Sequence, residues 1–191
     1  MFTGKFQMQV AESTHLEARL AGRATGAMFF VVFGAVWLEV WARRSGAGMP
    51  LAAAIVVGAL VMLVNAWRRY RRYAPALAQL RESPERRRTK RIFHLVNIGQ
   101  WLLILVLGNI LVNIGLGAWV VPMGIAVIGL HFVPLAHAFR YRTHYVTAAA
   151  MVVLAALYPL LAAGGPGAPV GFLGAGLILW ASAAWALRSQ A

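Results

Sequence analysis

Cysteine is absent from this chain of 191 residues, and acidic side chains are scarce, with 5 Asp and Glu in total. The lack of cysteine excludes disulfides, thiolate metal sites, cysteine nucleophiles and cysteine-ligated haem. Charged residues of both signs make up only 12% of the chain, too few to give a water-soluble fold of this size a polar surface. Lipid is therefore the expected solvent for most of the protein.

Long apolar runs fill the sequence, which is 61% hydrophobic and has a mean hydropathy of +0.70. A bilayer core about 30 Å thick needs roughly 20 apolar helical residues, and strands of a membrane barrel would be about half that length. Six segments approach the helical length: 25–42, 50–67, 92–113, 117–139, 145–163 and 169–187. We predict an all-α, polytopic membrane protein, with an amphipathic segment 1–24 before a single six-helix domain 25–191.

Basic residues predict how the chain is oriented, because Lys and Arg accumulate in cytoplasmic loops. With the N-terminus inside, all of the 18 Lys and Arg except Arg43 and Arg44 fall on the inner side. We therefore predict that both termini are cytoplasmic and that the membrane is a bacterial inner membrane. The first residues lack the compact apolar core of a cleavable signal peptide, so the first membrane helix is expected to stay in the protein.

Local patterns predict where two helices begin. Thr14 and Glu17 have the spacing of a capping box, which predicts a helix start there. Ser83, Pro84 and Glu85 read as N-cap, first-turn proline and first-turn acid, so the third helix is expected to start near Pro84 and to project into the cytoplasm.

Small residues four apart predict close helix contacts in lipid. Helix one carries Gly22 and Gly26. Helix six carries the pairs Gly171 with Ala175 and Ser182 with Ala186.

The segment 68–91 between helices two and three is predicted to be a basic cytoplasmic loop facing lipid. Each Lys or Arg near an anionic leaflet contributes on the order of 1 kcal/mol of attraction. The loop has two alternative roles: it sets topology alone, or it recognises anionic lipid headgroups or a cytosolic partner. Nucleic acid is not an expected partner, because the charge lies between apolar runs. The basic residues assigned to this loop are Arg68, Arg69, Arg71, Arg72, Arg86, Arg87, Arg88, Lys90 and Arg91.

Polar side chains inside apolar spans are costly and therefore mark candidate sites. Glu39 is the only acid within a predicted span, and either an ion pair with Arg43 one turn later or a proton or cation site would explain it. The third helix carries amides and a histidine spread over a broad arc, which predicts a place in the centre of the bundle. The candidate intramembrane polar site comprises Glu39, His94, Asn97, Asn109, His131 and Pro134.

The fourth helix ends in a histidine-rich stretch in which only His131 is plainly intramembrane, about 9 Å deeper than His137 by the helical rise. Pro134 cannot donate to the carbonyl of Leu130, so a kink and a freed acceptor are expected beside His131. His131 has three alternative roles: a structural hydrogen bond, proton handling, or ligation of a metal or haem. His137 and His144 are expected to lie at the cytoplasmic edge.

No motif of a membrane protease or of a zinc enzyme is present, so an intramembrane enzyme or redox protein is the least favoured class, and no cofactor is assigned. A small transporter or channel, with polar groups of helices three and four lining the path, is the favoured function. The alternative is a non-catalytic scaffold, sensor or partner subunit whose basic loop binds lipid. Anionic headgroups of the bilayer and a second copy of the chain are the candidate partners.

Overall fold

All regular structure is helical in the computed structural model, which describes residues 2–80 and 82–188, with side chains from residue 12 onward. Single 3-10 turns, Gly117–Trp119 and Gly165–Gly167, precede the fourth and sixth helices. The main helices are α1 (Phe2–Arg44), α2 (Met49–Gln79), α3 (Pro84–Asn113), α4 (Val120–Phe139), α5 (Thr143–Leu161) and α6 (Val170–Arg188). All six are long and apolar enough to cross a membrane, so the prediction of an all-α, multi-pass membrane protein is confirmed.

The helices form a series of neighbours in which α2 packs on α1, α1 on α6, α6 on α5, α5 on α4 and α4 on α3. Although α2 and α3 are consecutive in sequence, they lie at the two ends of this series. The packing partners show that neighbours are antiparallel. Phe93 on α3, for example, meets Phe139 at the end of α4, while Gly108 faces Met123 near the start of α4.

Three helices continue past the rest of the bundle at one end. The guanidinium of Arg23 on α1 lies over Tyr141 in the turn after α4, and Arg69 on α2 donates to the carbonyl of Leu187 at the end of α6. Residues before Arg23, after Arg69 and before Phe93 thus have no counterpart on α4, α5 or α6. We call residues 12–23, 68–80 and 82–91 the basic extension, and the opposite end, with the turns 45–48, 114–119 and 162–169, the glycine-rich end.

Most of the segment predicted as a loop is helical. The extension of α2 runs through Pro75 to Gln79 and buries Ala76. The predicted start of α3 is confirmed, because Ser83 is the N-cap and its hydroxyl accepts from the backbone N–H of Arg86 at 3.2 Å. Only residues 80–83 separate the two helices.

The start predicted at Thr14 is wrong, since α1 is already helical from Phe2. From Ala18 onward the helix has a buried face, which includes Ala18 and Ala21, and α1 packs closely along α2. Local capping signals are overridden where an apolar face finds a partner helix.

Close packing centres on α1 and α6. A Cβ added to Gly34 would overlap the ring of Trp180, and one added to Gly176 would lie 3.0 Å from the Gly34 carbonyl. The indole N–H of Trp180 donates to the carbonyl of Val31 at 3.0 Å. The expected contact at Gly22 and Gly26 is wrong, because space around both is open. The small-residue face of α6 is confirmed, since its four members, Gly171, Ala175, Ser182 and Ala186, are buried.

The expected central position of α3 is also wrong. None of its residues, all of which the structure describes, is buried, and its helical neighbour is α4. The amides of Asn97, Asn109 and Asn113 instead donate to backbone carbonyls one turn earlier, each at 2.8 Å. Because the helix supplies these acceptors itself, its polar arc does not force it into the bundle.

Candidate functional site

The basic extension displays its charge on helix surfaces. Arg68, Arg71, Arg88 and Arg91 are exposed, and none of them forms an ion pair with a described residue. Since α2 and α3 carry these groups where both helices leave the bundle, the charges gather at one end of the molecule. The arrangement suits binding of phosphate-bearing headgroups by several cations at once.

Other basic residues of the extension hold the turn between α2 and α3 together. Arg87 and Lys90 both donate to Glu82, at 3.2 and 3.3 Å, and Arg86 donates to the carbonyl of Leu80 at 2.8 Å. Arg72 lies against the ring of Tyr73. The nine predicted basic residues are therefore at one end of the molecule, but their roles differ: some brace the turn, Arg69 joins α2 to α6, and others are exposed.

His131 uses its own helix as a partner. Its Nδ1–H donates to the carbonyl of Ile128, and its ring lies against Phe132, with centroids 4.1 Å apart. This hydrogen bond leaves Nε2 as the acceptor of a neutral ring. Helix α4 continues through Pro134, which is exposed.

The candidate residues of α3 are not gathered around His131. Asn109 is exposed near the glycine-rich end, next to Gly108, which faces Met123. His131 is eight residues, or about 12 Å, farther along α4 than Met123. His94 is exposed at the other end of α3, and Asn97 is half-buried.

The groove between α3, α4 and α5 at the glycine-rich end is apolar. It has a volume of about 490 Å³. Its lining consists of Leu107, Ile110, Leu111, Leu116, Trp119, Pro122, Met123, Ala126, Val152, Ala155 and Ala156. No polar side chain of the candidate site reaches this groove, which suits a lipid chain better than a polar solute.

Glu39 lies near the glycine-rich end of α1. Among the described residues it makes no ion pair with Arg43, so the predicted pair is wrong. Its Oε1 is buried without a hydrogen-bond partner, while Arg44, farther along α1, lies over the ring of Phe172 at 5.1 Å. An unpaired carboxyl oxygen in an apolar bundle is unfavourable when charged.

His144 lies in an aromatic pocket between α1, α4 and α5. The rings of Phe30 and Phe132 have centroids 5.7 Å from its ring, and that of Tyr141 is 4.9 Å away. Both the Nδ1 of His144 and the hydroxyl of Tyr141 are buried without hydrogen-bond partners.

The turn after α4 explains how this pocket forms. Arg140 adopts a left-handed conformation with φ of 50°, and the next N–H, that of Tyr141, donates to the carbonyl of Ala136 at 3.0 Å. The chain therefore reverses at once and folds Tyr141 back onto His144. The only sequence signal was the spacing of Phe139, Tyr141 and His144, which does not reveal a left-handed turn.

A second polar contact that sequence reasoning missed joins α5 to α6. The hydroxyls of Thr147 and Ser182 are 2.8 Å apart in the buried interior, and Ser182 also lies 2.8 Å from the carbonyl of Ile178. Ser182 had been recognised only as a small residue. This contact is satisfied on both sides and so fixes two helices rather than binding a ligand.

Among the residues that the structure describes, no three His, Asp or Glu side chains gather in a way that could hold a metal ion. The exposed cations of the basic extension and the outer face of α3 join the buried, unpaired atoms of Glu39, His144 and Tyr141 as features that packing leaves unexplained. No family model, no curated protein and no solved structure matches this chain.

Proposed function

We propose that this protein is a non-catalytic scaffold or partner subunit of a bacterial inner membrane, with both termini cytoplasmic, that binds anionic lipid headgroups through its basic extension. The observation that carries the proposal is the exposure of Arg68, Arg71, Arg88 and Arg91 on two helices at the point where they leave the bundle. A positively charged end of this kind on the inner side agrees with the distribution of Lys and Arg along the chain.

Two further observations favour this function over transport between α3 and α4. The groove between α3, α4 and α5 has an apolar lining, and neither Asn97 nor Asn109 belongs to that lining. A polar solute on that route would meet few groups able to replace its hydration.

The test is the number of anionic lipids that remain bound to the purified protein, counted by native mass spectrometry. Two basic residues together contribute about 2 kcal/mol of attraction to an anionic surface, so the double variant Arg68→Gln/Arg71→Gln should retain clearly less phosphatidylglycerol than the wild type. The matched control, Arg43→Gln/Arg44→Gln at the glycine-rich end, should retain as much as the wild type. Equal losses from both variants would contradict the proposal.

Proton transfer is a second candidate function, favoured by the unpaired Nδ1 of His144 and the unpaired oxygen of Glu39. Its test is proton flux into proteoliposomes loaded with a pH-sensitive dye. Under this alternative, the wild type carries a proton flux that His144→Phe abolishes. A wild-type flux no greater than that of empty liposomes would refute proton transfer.

A further inference from the structure

The outer face of α3 carries a regular pattern that packing within the chain does not use. Steps of three and four residues alternate along it, so that one stripe turns to the same side for its whole length. The stripe, which we call the outer seam, comprises Leu95, Ile98, Leu102, Leu105, Asn109 and Val112. Its five apolar members are between 56% and 62% exposed.

The outer seam is remote from the face that packs on α4. Phe93 and Gly108, which contact α4, lie about 90° to 150° around the helix from the middle of the seam, at 100° per residue. A second helix can therefore occupy the seam without displacing α4. From Leu95 to Val112 the seam is about 26 Å long, which covers most of a hydrocarbon core about 30 Å thick.

The side-chain amide of Asn109 indicates that the second helix is α3 of another copy of the chain. One N–H of its amide donates to the carbonyl of Leu105, so a second N–H and an oxygen with unused acceptor capacity remain. Such an amide is self-complementary, because the N–H of one copy can donate to the oxygen of another copy at the same level. An Asn at a single a position is also the group that specifies register and number of strands in a parallel coiled coil.

We propose that α3 pairs with α3 of a second copy through the outer seam, in parallel, with the two Asn109 amides bonded across the twofold axis. Leu95, Leu102 and Asn109 take the a positions of the heptad, and Ile98, Leu105 and Val112 the d positions. Copies inserted in the same direction make the pair parallel, and the axis runs along the membrane normal.

Arginines set the limit of the pair towards the basic extension. The a and d positions that precede Leu95 are Arg88 and Arg91, whose like charges push the two helices apart there. Anionic headgroups between the separated ends offset this repulsion. The proposed pair therefore rests on the proposed lipid-binding function. It makes a second copy of this chain the partner that the scaffold binds.

Cysteine cross-linking tests the pair, because the chain has no cysteine of its own. Full-length Ile98→Cys and Leu105→Cys variants, oxidised in native membranes with copper phenanthroline, should give several-fold more covalent dimer than Leu103→Cys. Leu103 is 47% exposed but lies about 130° from the middle of the seam. Equal dimer from all three variants, or none from the seam positions, would overturn the proposal.

Energy transfer between labelled copies in proteoliposomes tests the role of Asn109. Interhelical hydrogen bonds of this kind predict that Asn109→Leu raises the dissociation constant of the pair by about 3- to 30-fold, whereas Asn109→Gln restores part of it. An unchanged constant in Asn109→Leu would overturn the amide contact. If pairing fails while phosphatidylglycerol retention still depends on Arg68 and Arg71, only the dimer is refuted, and the reverse result refutes only the lipid-binding function.

Discussion

Thr147 on α5 and Ser182 on α6 are joined by a hydrogen bond of 2.8 Å between their hydroxyls, in the buried part of the bundle. The contact links two mainly apolar helices, and each hydroxyl also lies near a carbonyl on its own helix, those of Thr143 and Ile178. In lipid, such bonds supply specificity of packing that apolar surfaces alone do not.

This bond should show as a coupling between the two positions. Thr147→Val and Ser182→Ala are each expected to lower the free energy of unfolding by about 0.5–1.5 kcal/mol. The double variant should lose less than the sum, because either change alone already removes the shared bond. Unfolding in mild detergent measures all three variants, and strict additivity would show that the hydroxyls do not interact.

The crossing of α1 and α6 predicts a contrast between two glycines of α1. Gly34→Ala should cost about 1–3 kcal/mol of stability, because the new methyl group overlaps Trp180. Gly26→Ala is the matched control on the same helix. It meets open space and should be neutral or stabilising by up to about 1 kcal/mol. Similar losses from both variants in thermal unfolding would contradict the crossing.

Glu39 predicts a stabilising substitution. Because its Oε1 is buried without a partner, Glu39→Gln should raise the free energy of unfolding by up to about 1 kcal/mol, since an acidic side chain costs more to bury in apolar surroundings than an amide does. Glu12→Gln, at an exposed position of the same helix, should change nothing measurable. A lower melting temperature for Glu39→Gln would show that the carboxylate has a stabilising role.

Single cysteines test the predicted orientation. Ser45 and Ala78 are both exposed, at the glycine-rich end and on the basic extension respectively. A membrane-impermeant maleimide should label Ser45→Cys from the external face of the inner membrane and Ala78→Cys only after that membrane is opened. The opposite pattern would place the basic extension outside.

Hydropathy and loop charge predicted the six helices because these constraints act locally: every apolar run of sufficient length must be a helix in lipid. The start of α3 was predictable for the same reason, since Ser83 and Pro84 act on the backbone beside them. Features that depend on which helices become neighbours were not predictable. The peripheral place of α3 is one example.

The histidines show the same limit within a single stretch. His131 donates to a carbonyl three residues earlier on its own helix. A structural hydrogen bond of this kind was one of the alternatives that the sequence indicated. The surroundings of His144 come from Phe30, more than a hundred residues earlier, and from a left-handed Arg140. Neither is visible in a pattern of polar and apolar residues.

The central claim is that the basic extension binds anionic headgroups, and a thermal titration tests it most directly. A ligand that binds the folded state raises stability in proportion to the logarithm of its concentration above the dissociation constant. Short-chain phosphatidylglycerol, added to the protein in neutral detergent, should raise the melting temperature of the wild type and of Arg43→Gln/Arg44→Gln. It should raise that of Arg68→Gln/Arg71→Gln much less, and phosphatidylcholine should have no such effect. Equal stabilisation by both lipids, or of all three proteins by phosphatidylglycerol, would contradict the claim.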